Sequence, residues 1–149
     1  MKIIIREAAL SDLPRLLELY KLLDFEPEKE LSLAKARSQF LRYREYPDYC
    51  VYVAEAAGVI VGTFALIIID SVAHGGKPFG IVEDVVVSDD SQGKGIGKEM
   101  MLFAMASCQK MGCYKLALSS HLKREMAHKF YESLGFEKHG FSFQLELVT

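Results

Sequence analysis

The sequence predicts an α/β fold: one domain over residues 1–149, with a mixed, mostly antiparallel twisted sheet of six to seven strands and about four helices. Three observations predict it. Short runs rich in β-branched and aromatic residues alternate with segments whose apolar residues recur at helical spacing. Two of the strand-like runs, "YCVYVAEA" and "VIVGTFALIII", flank a break at Ala57–Gly58 and read as a hairpin over 49–56 and 59–69. A third run, "GIVEDVVVS", passes through a glycine-rich segment, "QGKGIGK", into an amphipathic helix.

Taken in order, "KIIIREA" (2–8) is a strand. "SDLPRLLELYKLL" is a helix with Ser11 as N-cap, Pro14 in its first turn, and Leu13, Leu16, Leu17, Tyr20 and Leu23 on its apolar face. "EKELSLAKARSQFLRYREYP" is a second helix, ended by Pro47, and the hairpin follows. "DSVAHGGKPF" (70–79) is a loop. "GIVEDVVVS" is apolar on both faces except at Glu83 and Asp84. Ile96, Met100, Ala104, Cys108 and Met111 form the next helical stripe, stopped by Gly112. "CYKLALSS" is a strand. "REMAHKFYESLGF" is a helix with Ala127, Phe130, Tyr131 and Leu134 on one face and Gly135 at its end. "FSFQLELV" closes the chain as a strand with one apolar face.

Composition excludes several classes. Half the residues are hydrophobic and the net charge is −2, so no global basic field points to nucleic acid. Cys50, Cys108 and Cys113 lack paired spacing and read as free, buried thiols of a reducing compartment. "MKIIIREAAL" is not a signal peptide, and no apolar run approaches the ~20 residues that span a bilayer, so a cytoplasmic protein without a membrane partner is expected. His74, His121, His128 and His139 show no ligand spacing, so no metal is expected. Arg42, Tyr43, Arg44 and Tyr46 form a basic-aromatic patch, read as a solvated helix end or a contact for a substrate anion.

Gly93, Gly95 and Gly97 need a reason, because glycine in a helix costs about 0.5–1 kcal/mol relative to alanine. They sit where a helix begins, and there four backbone N–H groups lack partners and the dipole is positive. Without β-carbons in the way, and with Lys94 and Lys98 alongside, an anion could approach those donors: a phosphate cradle. It is not a P-loop, since Gln92 stands where the first glycine belongs and Glu99 where the hydroxyl should be. The G-x-G-x-x-G spacing of dinucleotide folds fails as well.

Gln92-x-x-Gly95-x-Gly97 resembles the [R/Q]-x-x-G-x-[G/A] signature of the GNAT superfamily of acetyl-CoA-dependent N-acetyltransferases, and Ala127, Tyr131, Gly135 and Phe136 resemble its A-x-x-x-Y-x-x-x-G-F element. The element order resembles the family from residue 1 to 149. The resemblance implies a sheet splayed between its fourth and fifth strands and a bulge in the strand carrying Glu83 and Asp84. It implies acetyl-CoA as cosubstrate, contacted by Val85, Val86, Val87, Gln92, Gly93, Lys94, Gly95, Ile96, Gly97, Lys98, Ser119, Arg124 and Phe130. Arg124 stands where many members carry asparagine. Glu83 is the implied base, acting through water, with Asp84 as reserve and substrate contact, since adjacent strand residues share a face only across a bulge. Tyr131 is the implied proton donor to the leaving thiolate, and a backbone N–H within 85–87 the oxyanion donor.

The acceptor implied is a primary amine of a small, sometimes anionic, metabolite. "GIVEDVVV", "GCYKLAL" and "KFYESLGF" look like the glucosamine-6-phosphate N-acetyltransferases, and "LSSHLKREMAHKFYESLGFEKHGFSF" like the aminoalkylphosphonate N-acetyltransferases. "FQLELVT" lacks the arginine that the former group carries in its last strand. A protein lysine or N-terminal acetyltransferase and a non-catalytic acyl-CoA sensor are the alternatives. The apolar face of the last strand implies a homodimer through residues around 139–148.

Overall fold

Ile3, Ile4 and Ile5 open β1 (Ile3–Glu7), which pairs antiparallel with β2 (Tyr49–Ala56), itself antiparallel to β3 (Val59–Ile69). This computed structural model describes residues 1–23 and 30–147, in two compact units, Met1–Ala117 and Leu118–Thr149. The expected hairpin boundaries hold. Ala57 and Gly58 turn the chain with φ of +50° and +77°, the left-handed pair whose twist suits a two-residue connection.

In the first unit, α1 (Leu13–Tyr20) and α2 (Leu33–Tyr43) cover one sheet face. Leu13, Leu16, Leu19, Ala36 and Phe40 pack there on Val51, Val53, Ala65 and Val86. Each large apolar side chain buried in this way contributes roughly 1.5–3 kcal/mol. Ser11 is not the helix cap. A 3-10 turn, Leu10–Asp12, intervenes, and the Asp12 carboxylate accepts from the Ala9 N–H (2.7 Å) and from both terminal nitrogens of Arg6 (2.7 and 3.1 Å). Those bonds hold the Asp12 carboxyl below its usual range. Leu19 is buried and Leu23 exposed, because α1 stops at Tyr20. The second helix is shorter than expected: Ser32 caps it, accepting from the Lys35 N–H (3.3 Å), and the chain leaves it through turns at 44–47. Glu28 and Lys29, which the sequence assigned to it, lie outside the described residues.

β4 (Phe79–Val87) pairs antiparallel with β3, and α3 (Ile96–Lys110) carries the chain across to β5 (Leu116–Ala117), parallel to β4. Phe103 of α3 packs edge-on to Tyr52 and Phe64, with Ile96, Met100, Met101, Ala104 and Cys108 buried. Gly62 lets the helix approach, since a β-carbon there would lie 3.0 Å from Met100 Sδ. Met111, expected on the buried stripe, is exposed because α3 ends before it. Gly112, at φ +77°, and Cys113 close the helix with N–H bonds to the carbonyls of Gln109 (3.1 Å) and Cys108 (3.0 Å).

Among the described residues the sheet has five strands in the order β1-β2-β3-β4-β5, fewer than the six to seven expected. Two expectations fail. "CYKLALSS" contributes only Leu116–Ala117, whose ladder with β4 covers Gly80 and Ile81; Val82–Val87 have no β5 partner among the described residues. "FSFQLELV" forms no strand among its described residues, 141–147, and Val148 lies outside them. Phe141, Phe143, Leu145 and Leu147 are 77–93% exposed, so this apolar face is not part of a core in the single chain. Alternation specifies a strand only where a neighbour pairs with it. The second unit contains α4 (Glu125–Ser133). Among the described residues no helix is long and apolar enough to cross a membrane.

Candidate active site

β4 ends in a turn built for open backbone. Gly93 and Gly95 adopt φ of +76° and +83°, values that L side chains rarely take, and a β-carbon on either would meet nothing within 4 Å. They bend the chain and leave free space beside it. Gly95 is the N-cap of α3, so the helix's unpaired donors face that space. The N–H groups of Gly93 through Lys98 have no acceptor among the described residues. Gly97 plays a different part from the other two, lying in the first turn of α3 without a left-handed φ.

The neighbours hold this turn in place. Gln92 Nε2 donates to the Val87 carbonyl (3.3 Å) and to Asp89 Oδ1 (3.4 Å), tying the turn to the end of β4. The Ile96 side chain is fully buried and anchors the helix start, leaving only its backbone for an anion. Lys94 and Lys98 are exposed on either side. Val85 and Val87 are half-buried and Val86 is buried, on the stretch of β4 that has no β5 partner.

The acid pair sits on a bulge. Between Val86↔Thr63 and Glu83↔Ala65 the β3–β4 register shifts by one, and Asp84 takes φ +51°, a conformation aspartate tolerates better than most residues. Regular alternation would send Glu83 and Asp84 to opposite faces. Here Glu83 lies opposite Ala65, which belongs to the cluster under α1 and α2, and Asp84 lines a cavity on that same side. The bulge thus brings both carboxylates to one face.

That cavity, about 480 Å³, is also lined by Tyr20, Tyr43, Tyr46 and Tyr49, from α1, α2, the turn after it and β2. Burial, then the neighbouring Asp84, push the Glu83 carboxyl above its usual range, and burial does the same to Asp84. Burial, then Asp84, push the Tyr20 phenol up to about 12. Tyr49 is raised by burial, then by Asp84 and Glu83, so the carboxylates hold the neighbouring phenols protonated. Of these tyrosines, Tyr43 and Tyr46 belong to the basic-aromatic patch, and Tyr20 and Tyr49 join them only in the fold. Arg44, from the basic-aromatic patch, lies over the Phe40 ring at 5.4 Å, and neither it nor Arg42 lines the cavity.

In the second unit, the A-x-x-x-Y-x-x-x-G-F element is a helix stop. Gly135, at φ +99°, donates to the Glu132 carbonyl (3.0 Å), and Phe136 N–H donates to the Tyr131 carbonyl (3.1 Å). This cap sets the residue after the glycine against the residue three places from the helix end. The Phe136 and Tyr131 rings meet edge-on at 5.8 Å, and Phe130 lies 5.1 Å from Tyr131 on its other flank. The two rings fix the phenol's direction. Burial raises the Tyr131 pKa against the opposing effect of Arg124, so the phenol keeps its proton at neutral pH. Arg124 is the N-cap residue of α4, and Ser119 Oγ donates to Ser142 Oγ at 3.5 Å. His128 is pinned to the preceding turn, Nε2 donating to the His121 carbonyl (2.9 Å).

Comparison with known proteins places this geometry. The Acetyltransferase (GNAT) family model matches residues 13–136. The glucosamine 6-phosphate N-acetyltransferase of Trypanosoma brucei brucei is 36% identical over 97 residues, covering 65% of this chain and 64% of that protein. That of Arabidopsis thaliana is 34% identical over 100 residues, 65% of each. The match therefore spans less than two thirds of either relative. A solved structure, the putative acetyltransferase from Agrobacterium tumefaciens str. C58, superposes with a TM-score of 0.90 at 31% identity, over 97% of this chain and 99% of that one. With the family model matched from α1 through the Gly135–Phe136 helix stop, the chain belongs to the GNAT acetyltransferase family.

Proposed function

We propose that residues 1–149 act as one N-acetyltransferase domain, moving the acetyl group of acetyl-CoA to a primary amine of a small metabolite by direct attack on the thioester. One observation carries this reading: a bulged strand presents Asp84 to a cavity, with Glu83 on the same side of the sheet, and then runs into a turn whose N–H groups have no acceptor among the described residues. The turn fits a pyrophosphate, because a β-carbon at Gly93 or Gly95 would enter the space that an anion needs.

Acetyl-CoA, when bound, supplies the activated thioester. The N–H groups of Gly93 to Lys98 hold its phosphates, Lys94 and Lys98 add charge, and the unpaired edge at Val85, Val86 and Val87 offers backbone donors and acceptors to its amide arm. Ser119, Arg124 and Phe130 are proposed as further contacts to it. Glu83 takes a proton from the incoming ammonium through water, with Asp84 holding the amine. An ammonium near pKa ~10 needs such a base at neutral pH. Tyr131 gives its phenol proton to the leaving thiolate.

Thiol release from acetyl-CoA, measured with 2-phenylethylamine, glucosamine 6-phosphate and a lysine-containing peptide, tests the reading. Release above the amine-free rate with a small amine is expected. Bound acetyl-CoA with no release for any amine would leave a sensor, and release with the peptide alone would leave a protein acetyltransferase. We also propose a homodimer in which a second copy covers Phe141, Phe143, Leu145 and Leu147. Light scattering that gives the mass of one 16.7 kDa chain rejects it.

A further inference from the structure

The cavity beside Asp84 has a composition that selects among amines. Its volume, about 480 Å³, is that of a small-molecule site. Tyr43 and Tyr49 stack at 5.3 Å, and Tyr46 lies 6.1 Å from Tyr49, so a cluster of tyrosine rings forms part of the lining. Tyr20 adds a fourth phenol from α1. Aromatic rings attract an ammonium through their quadrupole and bury apolar bodies well. Asp84 supplies the negative charge, and Glu83 stands beside it on the same side of the sheet.

This wall offers no unpaired cation to a phosphate among the described residues. Among the described residues the one cation lining the cavity is Lys21, and its Nζ pairs with Glu30 Oε1 at 3.2 Å. One paired lysine against Asp84 and Glu30 leaves the described part of the lining net negative, which disfavours a phosphate dianion there. Selectivity for a phosphorylated amine requires a positive partner for the anion, as arginine clusters and helix N-termini provide.

We infer that the acceptor is a primary amine on an apolar or aromatic body without a phosphate or phosphonate, its ammonium at Asp84 and its body against Tyr20, Tyr43, Tyr46 and Tyr49; this rests on the acetyl-transfer reading above. It separates this chain's substrate class from the one that names its glucosamine 6-phosphate relatives. The tyrosines recognise the body and Asp84 recognises the charge.

Calorimetric titration of 2-phenylethylamine and of glucosamine 6-phosphate into the whole chain tests it. Affinity for 2-phenylethylamine at least tenfold above that for glucosamine 6-phosphate is expected. Asp84→Asn, which keeps a residue type suited to the left-handed φ, should weaken phenylethylamine at least tenfold. Tyr49→Leu should weaken it too, with circular dichroism confirming the fold of both variants. Equal or tighter binding of glucosamine 6-phosphate overturns the inference, and so does an unchanged phenylethylamine affinity in Asp84→Asn. Acetyl-CoA is titrated separately: a chain that binds phenylethylamine but no acetyl-CoA overturns the enzyme reading and leaves the ligand class supported.

Discussion

Gly95→Val lowers acetyl-CoA affinity about 100-fold in a protein that still folds, a loss near ~2.7 kcal/mol. Gly95 sits at φ +83°, and a β-branched residue leaves that conformation at a cost of roughly 1–3 kcal/mol. The backbone then turns, and the proposed phosphate contacts of the Gly93 to Lys98 N–H groups are lost. The valine side chain also fills the space beside the turn, since nothing within 4 Å of the β-carbon position occupies it now. The helix behind survives, because Ile96, Met100, Met101 and Ala104 anchor α3 in the core. Gly58→Val is the control. It places the same strain, at φ +77°, in the β2–β3 turn with equally open surroundings. It should lower the melting temperature and leave acetyl-CoA affinity within twofold, so strain alone would not explain a selective loss at Gly95.

Glu83→Gln lowers kcat/KM about 100-fold with a good amine, within the range a positioned base contributes. The wild-type rate should fall as pH drops through the Glu83 pKa, which burial and Asp84 hold above the ordinary carboxylate range. That acid limb should vanish in Glu83→Gln. Stability should move the other way. A carboxyl whose folded pKa is raised stabilises the fold below its unfolded pKa, and that contribution is lost as pH rises through the folded value. Above that folded value Glu83→Gln and Asp84→Asn should melt at or above the wild-type temperature while losing rate. Tyr131→Phe should lower kcat and leave acetyl-CoA affinity unchanged, because it removes only the proton given to the thiolate. Both Glu83→Gln and Tyr131→Phe retaining wild-type rates would remove the assigned site.

Local pattern made the hairpin, the glycine turn and the α3 stripe legible, since each depends on near neighbours in the chain. Glu83 and Asp84 stood out as the acids of an apolar strand, but the one-residue register shift that puts them on one face depends on pairing with β3. The sequence grouped Gly97 with Gly93 and Gly95, yet only the latter two have left-handed φ, and no composition rule tells helical from turn glycine two residues apart. Gln92, expected at the cofactor, donates its side-chain amide to the Val87 carbonyl, a contact that the folded turn and not the local pattern brings about. The four cavity tyrosines come from three elements and the turn after α2, and converge only in three dimensions, so no periodicity in any of them announces the cavity. The last strand failed for the converse reason. Its alternation is intact, but Phe141 to Leu147 find no partner strand in the single chain.

Amide hydrogen exchange of Gly93 to Lys98, with and without acetyl-CoA, tests the central claim most directly. These N–H groups have no acceptor among the described residues of the free chain, so they should exchange fast and become protected when acetyl-CoA is added. Amides in the Ala57–Gly58 turn should not change. Saturating acetyl-CoA that leaves exchange at Gly93 to Lys98 unaltered would contradict the account.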